Sequence, residues 1–264
     1  MFCCRAVRTE GNAMKLRRRS ILGASLGLAV APARAQGQTL RVGSTPTGIP
    51  FTFLDTRSNT ITGFMVELIA EIGRRQGFAV DVQATPFAAL IPSLTSSRID
   101  IISAAMLATP ARREQIDFSN SVYAYGEGVA VREGESRPWR TLADMRGVSA
   151  GAQIGTVYIE PLRAAGLEVR TYDSVADIMR DVSLGRIAAG FGDAPIVSYQ
   201  IAQGTFRGVR LLPDYRPSVV GSIGIGTRKG DPVMTRINTG LASMKADGAF
   251  AALISKWNLP PSIE

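Results

Sequence analysis

The sequence predicts an α/β fold of open sheets flanked by helices, and two observations carry that prediction. Past the N-terminal leader, short strand-like runs alternate with stretches whose apolar residues recur at helical spacing. Beyond Tyr125 the alternation starts again as a second strand–helix series. A short echo supports two similar halves: Leu94-Thr-Ser-Ser-Arg-Ile99 and Val182-Ser-Leu-Gly-Arg-Ile187 each run into a predicted strand. A chain of 264 residues can bury the core of one large domain or two small ones.

Taken in order, Leu40-Arg-Val-Gly43 reads as the first strand and runs into a loop over 44–50. Phe64, Leu68 and Ile72, with Val66 and Ile69 beside them, place an apolar stripe on a helix that stops at Gly77. Ala79-Val-Asp-Val82 is a second strand. Phe87, Leu90, Ile91 and Leu94 stripe a shorter helix, and a third strand follows over 99–102. In the second series, Thr141-Leu-Ala-Asp144 and Ser174-Val-Ala-Asp177 have the spacing of a helix-opening hydroxyl with an acid three residues on. Strands are expected at 148–152, 167–172 and 187–191. The pattern over 233–257 is helical and breaks at Pro260-Pro261.

The N-terminus reads as an export signal. Lys15-Leu-Arg-Arg-Arg19 is basic, and the apolar run over 21–31 is too short to span a bilayer. Ala33-Arg34-Ala35 has the small-x-small form of a cleavage site, which places cleavage after Ala35. Arg18-Arg19 also fits a twin-arginine signal, and Met14 offers a second start. Residues 1–35 hold seven basic residues and one acid, so most of the +8 net charge sits there. The remaining 23 basic and 21 acidic residues make a nearly neutral body, which argues against a nucleic-acid partner. Both cysteines, Cys3 and Cys4, lie in the leader, and the whole chain lacks histidine. After Ala35 that composition removes disulfides, thiol nucleophiles, histidine bases and His- or Cys-based metal sites. No metal or cofactor is expected.

The densest chemical signal lies over 99–119. A buried strand breaks into a small-residue loop, and Thr109 and Arg112 follow three residues apart. Thr109 can cap a short helical turn with Pro110 in its first position and Arg112 carried on it. A guanidinium there can hold a carboxylate through two parallel hydrogen bonds. The plain alternative is an ion pair with a surface acid such as Glu114. Ligands in open α/β sheets sit beyond the carboxyl ends of strands, which selects the loops after Val42, Ile102, Gln153 and Phe191. Asp193 falls in the last of these, either as a ligand contact or as the cap of a helix starting near Pro195.

In this order and spacing, several motifs together resemble the extracellular solute-binding proteins of polar-amino-acid ABC transporters. They are Leu40-Arg-Val-Gly43, Gly63-Phe-Met-Val-Glu-Leu68, Leu90-Ile-Pro-Ser-Leu94, Thr109-Pro-Ala-Arg112, Gly192-Asp-Ala-Pro195, Arg228-Lys-Gly-Asp231 and Met244-Lys-Ala-Asp-Gly248 before Trp257. The resemblance implies a two-lobed periplasmic-binding-protein fold, each lobe an open sheet flanked by helices, joined by a two-strand hinge. After the leader (1–35), lobe 1 would comprise 36–123 plus 223–264 and lobe 2 would comprise 124–222, with the hinge near 121–125 and 221–224. Arg112 and Thr109 would grip an α-carboxylate, and Asp193 would take an α-ammonium. Gln153-Ile-Gly-Thr156 resembles the family's phosphate-loop-like turn, with Thr156 helping to hold the carboxylate or else capping a helix. Phe87 would lie over the ligand, or serve as a core residue.

Some positions depart from the family pattern. Leu107 stands where a hydroxyl or small residue is frequent, Thr45 and Gly48 replace an acid and an aromatic, and Val157 replaces a second hydroxyl. The pocket is therefore expected to favour a neutral or weakly polar side chain. Glu127 would offset a cationic one only if closure carried it into the cleft. The implied function is capture of an amino acid or related small carboxylate in the periplasm by lobe closure. The protein would act as a monomer that feeds an ABC permease in the inner membrane and is not an enzyme. The alternatives are a dehydratase acting on prephenate- or arogenate-like acids, and a sensory or accessory subunit.

Overall fold

The computed structural model describes residues 38–263. The basic leader, the cleavage expectation after Ala35 and both cysteines lie outside the described residues. Among the described residues, no helix is long and apolar enough to cross a membrane.

Two open sheets organise the chain. In the first, Thr39–Ser44 pairs in parallel with Ala79–Ala84 on one side and Ile101–Ile102 on the other. Gly226–Thr227 and Asp117–Phe118 extend it antiparallel, so a late segment returns to a sheet built from the early chain. The crossover helix Phe64–Gln76 forms because its apolar stripe has a core to face: Phe64, Leu68, Ile69 and Ile72 are all fully buried. Burying each such side chain contributes roughly 1.5–3 kcal/mol. The helix stops at Gly77, whose left-handed φ of 72° lets its N–H return to the Gly73 carbonyl.

The second sheet runs Glu168–Tyr172, Ser149–Gln153, Ala189–Asp193, Tyr123–Arg132, Val209–Leu211. Its first three strands are parallel, and Tyr123–Arg132 is antiparallel to Ala189–Asp193. Val220–Ile223 also pairs antiparallel with Tyr123–Arg132, Ile223 opposite Tyr123 and Val220 opposite Gly126. These two segments are the crossings between the sheets. A small hairpin sheet, Thr47–Gly48, Thr52–Asp55 and Thr60–Thr62, hangs from the loop after the first strand.

The structure corrects several sequence expectations. The third strand shortens to Ile101–Ile102, because the Asp100 carboxylate takes the Arg41 backbone N–H at 3.0 Å and occupies a donor that a longer ladder would use. The C-terminal helix is two helices, Val233–Ala246 and Ala249–Lys256, parted at Gly248 with φ 81°. Thr141 and Asp144 do form a reciprocal cap, but over the single 3₁₀ turn Leu142–Met145. Ser174 accepts from the Asp177 N–H without the reciprocal bond, since its own hydroxyl engages the Asp177 carboxylate at 2.6 Å.

Candidate functional site

The strand Ile101–Ile102 delivers the chain to a loop that is tethered at both ends. Ser44 Oγ donates to the Ser103 carbonyl at 2.7 Å, and the Ala108 N–H donates to the Ser222 carbonyl on the crossing strand at 2.9 Å. From there Thr109 caps the short helix Pro110–Gln115, its Oγ accepting the Arg112 N–H at 3.4 Å, with Pro110 in the first position. That turn aims Arg112 inward. Its side chain is buried, with Nη1 donating to the Leu107 carbonyl at 2.8 Å and Nη2 to the Gly155 carbonyl at 3.0 Å. Glu114 is not its partner, and among the described residues no carboxylate forms a salt bridge with it. Burial lowers the Arg112 pKa, partly offset by Tyr125, Asp193 and Tyr158.

The Gly155 carbonyl belongs to the turn after Ser149–Gln153, in the second sheet, so the guanidinium fork joins the two lobes. Gly155 has φ 81°, and a Cβ there would lie 2.8 Å from Ala88 Cα. Only glycine permits that backbone conformation and that approach together. Thr156 lines the cavity, but its hydroxyl donates to the Gln153 carbonyl at 2.6 Å, and the helix Ile159–Ala164 begins beyond it with Tyr158 at the cap position. Phe87 sits on a 3₁₀ turn, half-buried, its ring 5.4 Å from the Arg112 guanidinium carbon. Leu107 is buried beside Arg112 and contributes its carbonyl.

Asp193 ends the strand Ala189–Asp193 and stands at the cap position of the helix Ala194–Ala202, yet its side chain makes no capping bond. Its carboxylate instead accepts a hydrogen bond from the Tyr158 hydroxyl. Tyr125, buried beside it, donates to the Ala105 carbonyl at 2.9 Å. Burial pushes the Asp193 carboxyl above its usual range, and Tyr158, Tyr125 and the Arg112 charge pull it partly back. The two tyrosine hydroxyls are pushed well above 10, chiefly by burial and then by the Asp193 charge.

These groups converge on one cleft. Arg112, Leu107 and Val157 mark one end; Asp193, Phe87, Ala105, Thr156 and Tyr158 lie midway; Thr45, Gly48 and Thr52 mark the other. The enclosed cavity is about 20 Å³, room for roughly one water, so the lobes are closely shut on one another. Asp193 is the only carboxyl lining it among the described residues. Glu127 does not enter it: its carboxylate is held by the Tyr215 hydroxyl, the Ser218 N–H and hydroxyl, and the Val219 N–H. Among the described residues no group of three or more acid, His or Cys side chains could hold a metal.

The sequence reading missed Tyr158, Tyr125 and Thr52. Tyr158 carried a faint signal, an aromatic two residues past the Thr156 turn. Tyr125 reads as hinge, and Thr52 is brought to the cleft by the small hairpin, which has no clear sequence pattern.

The comparisons with known proteins agree with the two-lobed fold. Residues 40–260 match the model of the bacterial extracellular solute-binding proteins, family 3. The arginine-binding extracellular protein ArtP of Bacillus subtilis (strain 168) is 26% identical over 217 residues, covering 79% of this chain and 81% of that protein. An ancestral arginine-binding protein bound to arginine superposes with a TM-score of 0.78 at 29% identity, over 84% of this chain and 99% of that one. An ancestral amino acid-binding protein, a precursor of cyclohexadienyl dehydratase, gives a TM-score of 0.75 at 27% identity, over 83% and 95% of the two chains. With the match running from the first strand to past the last helix, the chain belongs to the bacterial extracellular solute-binding proteins of family 3.

Proposed function

We propose that this protein captures an amino acid or related small carboxylate between its lobes and presents it to an ABC permease in the inner membrane. The observation that carries the reading is Arg112: a buried guanidinium that among the described residues bonds to carbonyls alone, with N–H groups to spare, sharing a closed cleft with the half-buried Asp193 carboxylate. Five N–H groups are available to an arginine and two are engaged here, so three remain for a ligand carboxylate. Asp193, in the middle of the cleft, takes the ammonium. Thr109 positions Arg112, and Phe87, Leu107 and Thr156 enclose the carboxylate end. Lobe 1 is 36–123 plus 223–264 and lobe 2 is 124–222, and the reading gives a monomer exported to the periplasm with cleavage after Ala35.

Binding rather than catalysis is the favoured role. A dehydratase needs a carboxylic acid placed for proton transfer, and the single carboxyl that lines this cavity among the described residues is hydrogen-bonded by Tyr158. Two assays test the reading. A thermal-shift screen over amino acids and small carboxylates should give a stabilising ligand; at 100 times its Kd, stabilisation is about 2.7 kcal/mol. Mixing the protein with prephenate should release no phenylpyruvate. Failure of every amino acid and carboxylate to bind, or turnover of prephenate, would overturn it.

A further inference from the structure

The cleft is polar at both ends but charged over only part of its length. Arg112 lies at one end and Asp193 midway, which is the order of the carboxylate and ammonium of an α-amino acid. The side chain of such a ligand then points to the third position, at Thr45, Gly48 and Thr52. Neither a charged side chain nor a free apolar wall dominates there.

Thr45 and Thr52 are both almost fully buried, and their hydroxyls lie 2.9 Å apart. One hydroxyl donates to the other, so one O–H hydrogen of the pair remains, and among the described residues neither oxygen has another partner. Gln153 enters the same cavity from the opposite lobe. Its Nε2 is fixed by the Asp173 carbonyl at 2.8 Å, while among the described residues its Oε1 accepts nothing. The closed lobes therefore bring a hydroxyl donor on one wall and the side-chain amide of Gln153 on the other to the same cavity. Gly48 makes room beside them: a Cβ there would come within 3.3 Å of Thr45 Oγ and 3.5 Å of Ile196 Cδ1.

Resting on the amino-acid reading above, we infer that the ligand side chain is uncharged and ends in a carboxamide. An amide carbonyl can accept from the threonine pair while its NH₂ donates to Gln153 Oε1, satisfying both protein groups at once. A carboxylate side chain would meet an acceptor at Gln153. A lysine or arginine head would be desolvated without an acid to offset the loss. A leucine side chain would fill the space and leave both polar groups unmatched.

The test is calorimetry of the full protein with glutamine, asparagine, glutamate, leucine, alanine and lysine. One of the two amides should bind at least tenfold tighter than leucine, glutamate and lysine. Thr45→Val should shrink the amide-to-leucine ratio by about tenfold, and Gly48→Ala, which adds one methyl group at 3.3–3.5 Å, should weaken the amide more than alanine. Thermal melts confirm that each variant is folded; should Thr45→Val unfold, Thr52→Val, which removes the other hydroxyl of the pair, carries the comparison. Tightest binding by leucine, lysine or glutamate, or an unchanged amide-to-leucine ratio in the folded threonine-to-valine variant, overturns this inference and leaves amino-acid capture standing. Absence of binding by any amino acid overturns both.

Discussion

Replacing Arg112 by alanine separates the ligand-anchoring role proposed for it from its role in the fold. The guanidinium engages the carbonyls of Leu107 and Gly155 and leaves three N–H groups for the ligand. A charge-assisted hydrogen bond contributes about 1.5–3 kcal/mol, so losing a two-point grip on a carboxylate costs about 3 kcal/mol or more. At 1.4 kcal/mol per decade, affinity should fall by roughly a hundredfold or more. The fold pays less. Two carbonyls lose a donor, at about 1–3 kcal/mol each where no water replaces it, while the desolvation of a buried charge is relieved. A protein of this size loses about 2–4 °C in Tm per kcal/mol, so a drop of several degrees with a cooperative melt is expected. Arg112→Lys should fall between wild type and alanine, because an ammonium keeps the charge without the planar fork. Titration calorimetry well below the melting temperature, alongside thermal melts, reads both quantities. An Arg112→Ala protein that binds within twofold of wild type would refute the anchor.

Asp193→Asn should weaken binding of an amino acid far more than of its des-amino carboxylate, and equal losses by calorimetry would reduce Asp193 to a structural group. Because burial raises the free Asp193 pKa while a bound ammonium needs the carboxylate ionised, binding should release a proton as pH falls below that pKa. Affinity should then fall by up to tenfold per pH unit on acidification, and the dependence should vanish in Asp193→Asn; a flat profile in the wild type contradicts the pairing. Gly155→Ala should raise the dissociation rate at least tenfold in stopped-flow measurements, since its Cβ would meet Ala88 backbone at 2.8 Å only when the lobes close. Glu127→Gln should lower stability by about 2–3 kcal/mol in urea titration, because the carboxylate accepts from four donors around Tyr215, Ser218 and Val219, while ligand preference stays as in wild type.

Much of the fold was legible because local and tertiary signals agree. The stripe Phe64, Leu68, Ile72 followed by Gly77 specifies a helix and its end, and the core it faces is the one its pattern requires. Elements were misread where a side chain competed with the backbone. Asp100 takes the Arg41 N–H and truncates a strand, and Gly248 with the Asp247 carboxylate starts a new helix where the apolar pattern ran on. The return of Gly226–Thr227 to the first sheet has no local signature at all; a pairing between residues more than a hundred positions apart leaves no periodicity to read. The family resemblance supplied that connection, and the strand register now displays it.

The site was legible on the same terms. The candidates Arg112 and Asp193 stand out in the sequence by charge, one on a capped helical turn and one at a strand end, whereas Tyr158 and Thr52 come to the cleft only through what the fold places beside them. That distinction has a mechanical consequence. A ligand can shift an open–closed equilibrium only by contacts that differ between the two states. The Arg112 Nη2 bond to the Gly155 carbonyl crosses the lobes, and so exists only when they are shut. On the proposed reading the same guanidinium would present its remaining N–H groups to the ligand carboxylate, which would hold the planar fork in the orientation that reaches Gly155. Asp193 and Tyr158 lie on the far lobe, so a ligand ammonium held there, as proposed, would complete a bridge that starts at Arg112. On the proposed reading anchoring and closing are one event, because the ligand carboxylate and the Gly155 carbonyl draw on the same guanidinium.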